Sequence, residues 1–376
     1  MSDRGDARRF SVAEALAIHQ RACADLGSPM YARLLTALTA DHAAGGLTAE
    51  LLEGRTDRPV HDALALRLLG AVHRIVLDGR APALAAFYPS VGGERDDDGL
   101  APCFLETVAA HRAEVIAGLS RQVQTNEVGR AGALAAGFHE IARRSGQPLQ
   151  LREVGSSAGL LLRWDGYRYE AGGTATGDPA SAVRFTDVWD GAPPRFDDGV
   201  TIRDRRGCDV SPIDATSSEG RLTLLSFVWP DQNARFRRLE AALDIARRWP
   251  VTIDAQDAGA WVEQQLAPRS RAAGGRDGGR DGGRDGDDRG GDEEAEVATV
   301  VFHAIVLQYL PAESRRRMVA ALERRGAEAA RRGPLAWLRM EPAGPRADLR
   351  LTTWPGGQTE VLAEVGYHGE PVRWLS

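Results

Sequence analysis

The sequence predicts an α/β protein that begins with an all-helical region. Three observations support this fold class. Up to about Ser145, apolar residues recur every three or four positions, which is the period of amphipathic helices. Beyond Pro148, short β-branched or apolar runs alternate with helical stretches, as in βαβ units. A glycine-rich turn at 155–159 directly follows the first of these runs. We therefore predict a helical cap region at 1–145 and an α/β domain at 146–376.

Breaks that contain glycine or proline divide the N-terminal region into about six predicted helices. Glycine and proline interrupt the helical pattern at 27–29, 44–46, 79–82 and 92–99. Five histidines are scattered through these helices without the paired spacing of metal ligands, so we interpret them as structural. They are His19, His61, His73, His111 and His139.

The α/β domain is expected to contain a sheet with late antiparallel strands. Two long helices are predicted between the strands, one at 221–249 with a break at Trp229-Pro230 and one at 312–332. The candidate strands are short runs bounded by turn residues. They lie at 149–154, 182–188, 200–208, 251–255, 297–307, 335–340, 349–353 and 361–367.

Residues 270–296 form a low-complexity insertion in this domain. Gly-Gly-Arg-Asp is repeated three times and is followed by an acidic run. Such a composition cannot bury apolar area, so we predict a disordered surface loop.

Composition and charge exclude several classes of function. A formal net charge of −6 argues against a partner that carries a phosphate backbone, so no nucleic acid is expected. All 47 basic residues are arginine, which excludes a P-loop lysine and Schiff-base chemistry. Three widely spaced cysteines fit neither a disulfide framework nor a zinc site, and no metal is expected. No apolar run approaches the length of a membrane span, and we expect a cytoplasmic protein without a membrane partner.

The turn at 155–159 allows two interpretations. As acid-x-G-x-x-x-G, it places Glu153, Gly155 and Gly159 in the cofactor loop of a nucleoside-binding, Rossmann-like domain. As G-x-S-x-G, it makes Ser157 the nucleophile of a serine hydrolase. In both interpretations the turn leads into a helix, whose N-terminus favours negative charge. The hydrolase also needs a histidine downstream, and His303 and His368 are the candidates.

The nucleoside interpretation requires an acid at the end of the next core strand, where a carboxylate can accept both ribose hydroxyl protons. Asp209 meets this requirement if an insertion occupies about 164–206, and Asp187 is the backup candidate. Further on, Asp257 and Ala258 follow another strand, where an adenine amino group could be recognised. Asp257 can equally cap the helix that begins after it.

At these residues the chain resembles class I S-adenosylmethionine-dependent methyltransferases over about 149–376. The first motif is similar at 153–159, the second at 207–212, the third at 257–258, and the fourth strand with its continuation at 301–311. The chain resembles more closely an uncharacterised bacterial family, domain of unknown function 2332. The resemblance implies a Rossmann-like fold, S-adenosylmethionine as cofactor and an unknown, small-molecule acceptor. The cofactor-binding residues implied are Glu153, Gly155, Ser156, Ser157, Gly159, Asp209, Asp257 and Ala258.

Candidate catalytic and substrate-binding residues have alternatives that the sequence leaves open. His303 or Glu127 would serve if methyl transfer uses a general base. Asn126, Glu127 and Arg130 share one face if 122–130 is helical, and they would form either a pocket wall or a salt-bridged helix start. Aromatic residues at 164–169, among them Trp164 and Tyr167, line a pocket or belong to the core. A Rossmann-like module without catalysis is the remaining alternative.

Overall fold

The computed structural model describes residues 10–196, 199–268 and 297–375. The loop predicted at 270–296 lies outside these ranges. The chain divides into two compact units. The first unit comprises the chain up to Gly129, Ala180–Arg184 and Ile213–Pro250. The second unit comprises Arg130–Pro179, Phe185–Pro212 and the chain from Val251 onward.

The α-helices of the described residues follow the predicted punctuation. The breaks at 27–29, 44–46, 79–82 and 92–99 all separate helices, and the break at Trp229-Pro230 separates α9 from α10. The helices are α1 (Val12–Asp25), α2 (Pro29–Ala43), α3 (Leu47–Leu52), α4 (Leu64–Leu77), α5 (Pro82–Ala85), α6 (Leu100–Ala110), α7 (Arg112–Gly118), α8 (Ala131–Ser145), α9 (Ser218–Ser226), α10 (Asn233–Arg248), α11 (Ala258–Leu266), α12 (Ala312–Ala327) and α13 (Ala329–Arg332).

The strands of the described residues begin with β1, whose bounds match the predicted run. They are β1 (Leu149–Val154), β2 (Arg168–Ala171), β3 (Thr174–Gly177), β4 (Arg184–Phe185), β5 (Ile202–Asp209), β6 (Thr252–Ala255), β7 (Ala298–Ala304), β8 (Leu335–Ala343), β9 (Arg346–Trp354), β10 (Gln358–Val365) and β11 (Val372–Trp374).

The first unit is helical. Helix α1 begins with a reciprocal capping box, in which Ser11 accepts from the backbone N–H of Glu14 and the Glu14 carboxylate accepts from the backbone N–H of Ser11. Helix α4 buries nine of its 14 residues. Side chains from α1, α2, α4 and α6 form one continuous core. Residues 10–145 contain helices and no strand, as predicted for the N-terminal part of the chain, although residues 130–145 belong to the second unit.

The second unit is built on an eight-stranded mixed sheet in the order β11-β10-β9-β8-β7-β1-β5-β6. Strands β6, β5, β1, β7 and β8 are parallel, and β9, β10 and β11 continue the sheet in antiparallel fashion. All seven residues of β7 are buried, which is typical of a strand in the middle of a parallel sheet. The predicted α/β fold with late antiparallel strands is confirmed.

The connection from β1 to β5 differs from the prediction. The expected helix after the turn at 155–159 is a 3-10 segment, Leu161–Gly166, which Arg163 interrupts with a non-helical conformation. The antiparallel pair β2 and β3, absent from the sequence analysis, follows it. The strand predicted at 182–188 shrinks to the two residues of β4. The charge-stabilising helix N-terminus expected behind the turn is therefore absent from the described residues.

The segment 122–130 is also not the predicted helix. Residues before Val128 have no regular structure, and Val128–Arg130 is a single 3-10 turn that leads into α8. Asn126, Glu127 and Arg130 therefore do not share a helical face.

Candidate functional site

The candidate site lies at one edge of the second unit's sheet, where the five parallel strands end. We call this the carboxyl edge. Strand β1 lies between β5 and β7, with Glu153 opposite Gly207 on one side and Phe302 on the other. The chain leaves β1 toward β5 and β6, and later returns to β7 on the other side of β1. This reversal of strand order places the end of β1 at a topological switch point, where open α/β sheets bind ligands.

The Gly155 turn, defined as Gly155–Gly159, has left-handed backbone at every second residue. Gly155, Ser157 and Gly159 have φ of +68°, +51° and +68°. Glycine adopts this region without strain, whereas serine does so rarely. The turn is closed by hydrogen bonds from the Ser156 N–H to the Cys208 carbonyl at 2.9 Å and from the Gly159 N–H to the Ser156 carbonyl at 2.7 Å.

Asp209, at the end of β5, holds the Gly155 turn. Its Oδ2 accepts the backbone N–H of Ser157 at 2.9 Å, and its Oδ1 accepts the backbone N–H of Ser211 at 2.9 Å. A carboxylate oxygen can accept two hydrogen bonds, so this arrangement leaves acceptor capacity at each oxygen. The structure therefore places Asp209, of the two acids considered, at the Gly155 turn.

Asp187 lies at the other end of the sheet. It is exposed and has φ of +44°, and the following residues, Val188 to Asp190, bond to Val372 of the edge strand β11. Strand β11 is separated from β1 by four other strands. Asp187 is thus excluded as the acid that faces the turn.

Glu153 is an almost fully buried carboxyl group at the end of β1. Burial raises the pKa of Glu153 well above its ordinary value, and the charge of Asp209 raises it further, whereas Ser156 and Arg163 oppose the shift. Its Oε2 has no hydrogen-bond partner among the described residues. The shift favours the neutral acid, which can donate as well as accept a hydrogen bond.

The glycines of the turn are required by packing. A Cβ on Gly155 would lie 2.6 Å from Cγ2 of Val306, and a Cβ on Gly159 would lie 2.9 Å from Cγ2 of Val251. A Cβ on Gly207, opposite Glu153, would lie 2.0 Å from Oγ of Ser156. Neighbouring side chains of the protein thus fill the space that each absent Cβ leaves.

His303, near the end of β7, is buried and bonded at both ring nitrogens. Its Nε2 accepts the indole N–H of Trp337 at 3.0 Å, because tryptophan can only donate. Its Nδ1 therefore carries the proton and donates to Oε1 of Glu341 at 2.6 Å. With its lone pair already engaged, His303 is not placed to act as the general base that the sequence suggested, nor as the histidine partner of Ser157.

The chain leaves β7 through a second left-handed residue, Ile305, with φ of +59°. A β-branched residue rarely adopts this conformation, and such strain concentrates at functional sites. Only four non-glycine residues of the described ranges have positive φ. Two of them, Ser157 and Ile305, follow the neighbouring strands β1 and β7 at the carboxyl edge.

Arg130 lies at the same edge, but its guanidinium donates hydrogen bonds to backbone carbonyl groups. Its guanidinium donates to the carbonyl of Ala304 at 2.9 Å and to the carbonyl of Tyr367 at 3.2 Å. Both partners belong to the second unit, as does Arg130 itself. The substrate-binding role predicted for Arg130 is thus replaced by a structural one in this conformation.

Asn126 and Glu127 belong to the first unit. Glu127 accepts the Nε–H of Arg235 at 2.8 Å and the backbone N–H of Gly129 at 3.0 Å. Both residues are buried. The ion pair of the second alternative is therefore observed for Glu127, although not in a helix start.

Asp257 caps a helix. Its side chain accepts the backbone N–H of Ala260 at 3.0 Å at the start of α11, and Ala258 is a buried first-turn residue. The pKa of Asp257 is lowered, although burial opposes the shift, because Ser314 and the backbone N–H groups of Ala260 and Gly259 donate to it. The capping alternative is observed, and recognition of an adenine by these two residues stays a prediction.

Trp164 and Tyr167 are core residues. Trp164 stacks on Phe138 with ring centroids 4.9 Å apart, and the Tyr167 hydroxyl donates to the carbonyl of Leu160 at 2.7 Å. Both rings are almost fully inaccessible to solvent. The core alternative is therefore observed, because Trp164 is packed among aromatic rings and the Tyr167 hydroxyl has a backbone acceptor.

A family model described as an uncharacterized protein conserved in bacteria, DUF2332, matches residues 13–274 and 288–374. The chain belongs to this family. Neither the curated proteins nor the solved structures that were searched contain a match. The match of DUF2332 spans both units and omits residues 275–287, most of which belong to the Gly-Gly-Arg-Asp repeats. None of the helices in the described part of this DUF2332 chain is long and apolar enough to cross a membrane.

Two residues of the site in this DUF2332 protein were not predicted from the sequence. Glu341 lies in β8 among apolar residues, and Ile305 follows an apolar run that reads as a continuous strand. A single acid at the end of a predicted strand was a usable signal for Glu341. No local signal marks Ile305, because isoleucine disfavours the conformation it adopts.

Proposed function

We propose that this DUF2332 protein is an S-adenosylmethionine-dependent methyltransferase-like protein that acts on a small-molecule acceptor. Counted along the chain, the five parallel strands of the sheet have the order 3-2-1-4-5, which is that of nucleotide-binding doubly wound sheets. The cofactor would bind at the carboxyl edge, beside the Gly155 turn.

One observation carries the proposal, namely the hydrogen bond from the Ser157 N–H to Oδ2 of Asp209. It joins the turn after β1 to the acid at the end of β5, the two elements that a nucleoside-binding sheet must bring together. The remaining acceptor capacity of the Asp209 carboxylate suits a pair of ribose hydroxyl groups. Oε2 of Glu153, which has no hydrogen-bond partner within residues 10–196, 199–268 and 297–375, adds a buried polar atom at the same edge.

The cofactor would supply an activated methyl group, and the protein would supply position. Asp209 would hold the ribose, and the Gly155 turn would set the distance between the nucleoside and the strand ends. Glu153, favoured as a neutral acid, would contribute a hydrogen bond without adding negative charge. Methyl transfer from a sulfonium depends mainly on alignment in a water-poor site, so a general base is not required.

The proposal is tested by calorimetric titration with S-adenosylmethionine and S-adenosylhomocysteine. We expect both to bind the wild-type protein, and we expect Asp209→Asn to weaken binding about tenfold or more, because an amide has lost the charge and one acceptor. Asp187→Asn is the matched control, since Asp187 is exposed at the far end of the sheet and asparagine tolerates its positive φ.

Absence of heat at roughly 1 mM ligand, a concentration that fills even weak sites, would overturn the proposal. Circular dichroism of Asp209→Asn must match the wild type, because Asp209 also holds two backbone N–H groups. Equal weakening by the Asp209 and Asp187 variants would show that the acid at the turn has no specific part in binding.

The left-handed backbone of Ser157 favours a second candidate, serine hydrolysis, because nucleophile turns place serine in a strained conformation. The engaged nitrogens of His303 leave that residue no role in such a reaction. Labelling with a fluorophosphonate probe separates the candidates. Labelling of the wild type that disappears in Ser157→Ala would support hydrolysis, and equal labelling of both proteins would end it.

A Rossmann-like module without catalysis is the third candidate. The filled space beside Gly155 and Gly159 favours it, because these glycines accommodate protein side chains. A protein that binds S-adenosylhomocysteine as tightly as S-adenosylmethionine, and transfers no methyl group to a panel of small-molecule acceptors, would fit this candidate.

A further inference from the structure

The loop after β7, defined as Ile305–Pro311, begins with a strained residue that several groups hold in place. The left-handed conformation of Ile305 is unfavourable for a β-branched side chain. It persists only where the surroundings fix it. The contacts of the backbone on both sides of Ile305 identify those surroundings.

Arg130 and the neighbouring strand fix the backbone before this residue. The Arg130 guanidinium donates to the carbonyl of Ala304 at 2.9 Å. The N–H of Ile305 itself donates to the carbonyl of Met340 in β8 at 2.8 Å. The last carbonyl of β7 and the first amide of the loop are thereby satisfied.

Glu341 fixes the backbone after this residue. Its Oε1 accepts the N–H of Val306 at 3.0 Å and the N–H of Leu307 at 3.3 Å, in addition to the Nδ1–H of His303 at 2.6 Å. The indole of Trp337 sets the tautomer of His303 that makes this third donation possible. Oε1 of Glu341 thus lies within hydrogen-bonding distance of three donors around the strained residue, two at 3.0 Å or less and one at 3.3 Å.

The clamped loop also contacts the Gly155 turn. Cγ2 of Val306 lies within 2.6 Å of the place that a Cβ on Gly155 would occupy, so the valine packs directly against the glycine backbone. Val306 is buried in the cluster that also contains Val154, at the end of β1. A shift of the loop would therefore displace the support of the turn.

We propose that Glu341 and Arg130 are positioning residues for the cofactor site. They clamp the strained backbone at Ile305 and, through Val306, fix the Gly155 turn in its binding geometry. That this site binds a cofactor rests on the proposed function, whereas the clamp at Ile305 rests on the observed contacts alone. The two therefore require separate measurements.

Hydrogen exchange in four proteins tests the clamp without any ligand. They are the wild type, Glu341→Gln, Ile305→Gly and the double variant. We expect Glu341→Gln to speed exchange at the amides of Val306 and Leu307 about tenfold, because charge-assisted hydrogen bonds to the carboxylate are weakened. In the Ile305→Gly background the same change should have less than about a third of that effect, because glycine adopts the left-handed conformation without strain.

A reference peptide from β1 reports whether Glu341→Gln loosens the whole second unit, and Glu364→Gln is the matched control. Glu364 is an exposed carboxylate of β10 whose ion pair with Arg373 spans 3.5 Å. Equal acceleration with and without Ile305→Gly would overturn the clamp, because the carboxylate would then stabilise the loop independently of the strain. Unchanged exchange in Glu341→Gln would also overturn it.

Calorimetry then tests the link to the cofactor site. If the wild type binds S-adenosylmethionine, Glu341→Gln should weaken binding about tenfold, while Glu364→Gln should not. Wild-type affinity in Glu341→Gln would overturn the positioning role. If the wild type binds neither S-adenosylmethionine nor S-adenosylhomocysteine, the proposed function fails, and the exchange measurements alone decide whether the clamp exists.

Discussion

At the scale of single residues, Glu153 combines near-complete burial with an oxygen, Oε2, that has no hydrogen-bond partner in the described part of the chain. Burial raises the pKa of Glu153 in the folded state well above 4.5, so above that pH this carboxyl group binds more protons in the folded protein than in the unfolded chain. The contribution of Glu153 to the stability of the folded protein is therefore fully present at low pH and is lost as the pH rises through the pKa of the folded state. A neutral side chain of the same shape would remove this dependence.

We expect Glu153→Gln to raise the melting temperature by about 3 °C or more near pH 8 and to change it little near pH 5. The measurement is thermal unfolding of both proteins across this pH range. Glu364→Gln serves as the exposed control. A difference between Glu153→Gln and wild type that is the same at every pH would contradict the assignment of a raised pKa.

The pKa of His73, in the first unit, is shifted downward, so its effect on stability appears at acid pH. Its Nδ1 bonds to the carbonyl of Ser226 at 3.2 Å and its Nε2 to the hydroxyl of Ser90 at 2.9 Å. Burial lowers the pKa of His73 from 6.5 to about 4, although backbone carbonyls of Ser226 and Val228 oppose the shift. The unfolded chain therefore binds the extra proton between these values, and stability is lost as the pH falls below 6.5.

The loss of stability from this residue should reach about 3 kcal/mol near pH 4. We expect His73→Gln to flatten the decline in melting temperature between about pH 6.5 and pH 4.5. His61→Gln is the control, since His61 is exposed. An acid decline that is as steep in His73→Gln as in the wild type would assign the effect to other groups.

At the scale of elements, the Gly155 turn is defined both by its backbone and by what packs against it. Gly155 and Gly146 have nearly the same positive φ, +68° and +64°. A Cβ on Gly155 would collide with Val306, whereas a Cβ on Gly146 would meet nothing within 4 Å. Substitution of Gly146 therefore measures the cost of the left-handed conformation alone, whereas substitution of Gly155 adds the cost of the collision with Val306.

We expect Gly146→Ala to cost about 1–2 kcal/mol, the penalty of a left-handed alanine. Gly155→Ala should cost about 1–3 kcal/mol more, because the buried and branched Val306 has little room to move. Urea unfolding of both variants measures the difference. Equal midpoints would mean that Val306 does not press against the turn.

The elements that sequence periodicity located best were the buried ones. Strand β1 was predicted with its observed bounds, and the continuous apolar run of β7 identified a central strand. The helix predicted between β1 and β5 was wrong, because only a few apolar residues follow the Gly155 turn. The aromatic residues after them bond to nearby backbone, and an extended pair of strands replaces the helix.

At the scale of the whole molecule, the family match and the composition agree on one segment. The DUF2332 match omits residues 275–287, and these residues consist almost entirely of glycine, arginine and aspartate. A segment of this composition has no apolar area to contribute to a core. The remaining chain carries the features that the family shares.

We expect deletion of residues 275–287 to leave the melting temperature within about 2 °C of the wild type, because the segment contains no apolar side chain. S-adenosylmethionine titration should likewise give the same result for both proteins. Replacement of the segment by glycine and serine at equal length controls for the change in loop length. A clear loss of thermal stability on deletion, but not on replacement, would assign a structural role to the length of this segment.

The sequence by itself determined the fold class, the order of most helices and strands, the family and the turn at which the site is centred. These follow from periodicity, glycine and proline punctuation and strand-end acids, which are local features. Only the tertiary structure decided between Asp209 and Asp187, engaged both nitrogens of His303, and joined Glu341 to the backbone around Ile305. These contacts join residues that are 34 to 52 positions apart in the sequence. Strand order and register set such contacts, and neither is encoded in a local pattern.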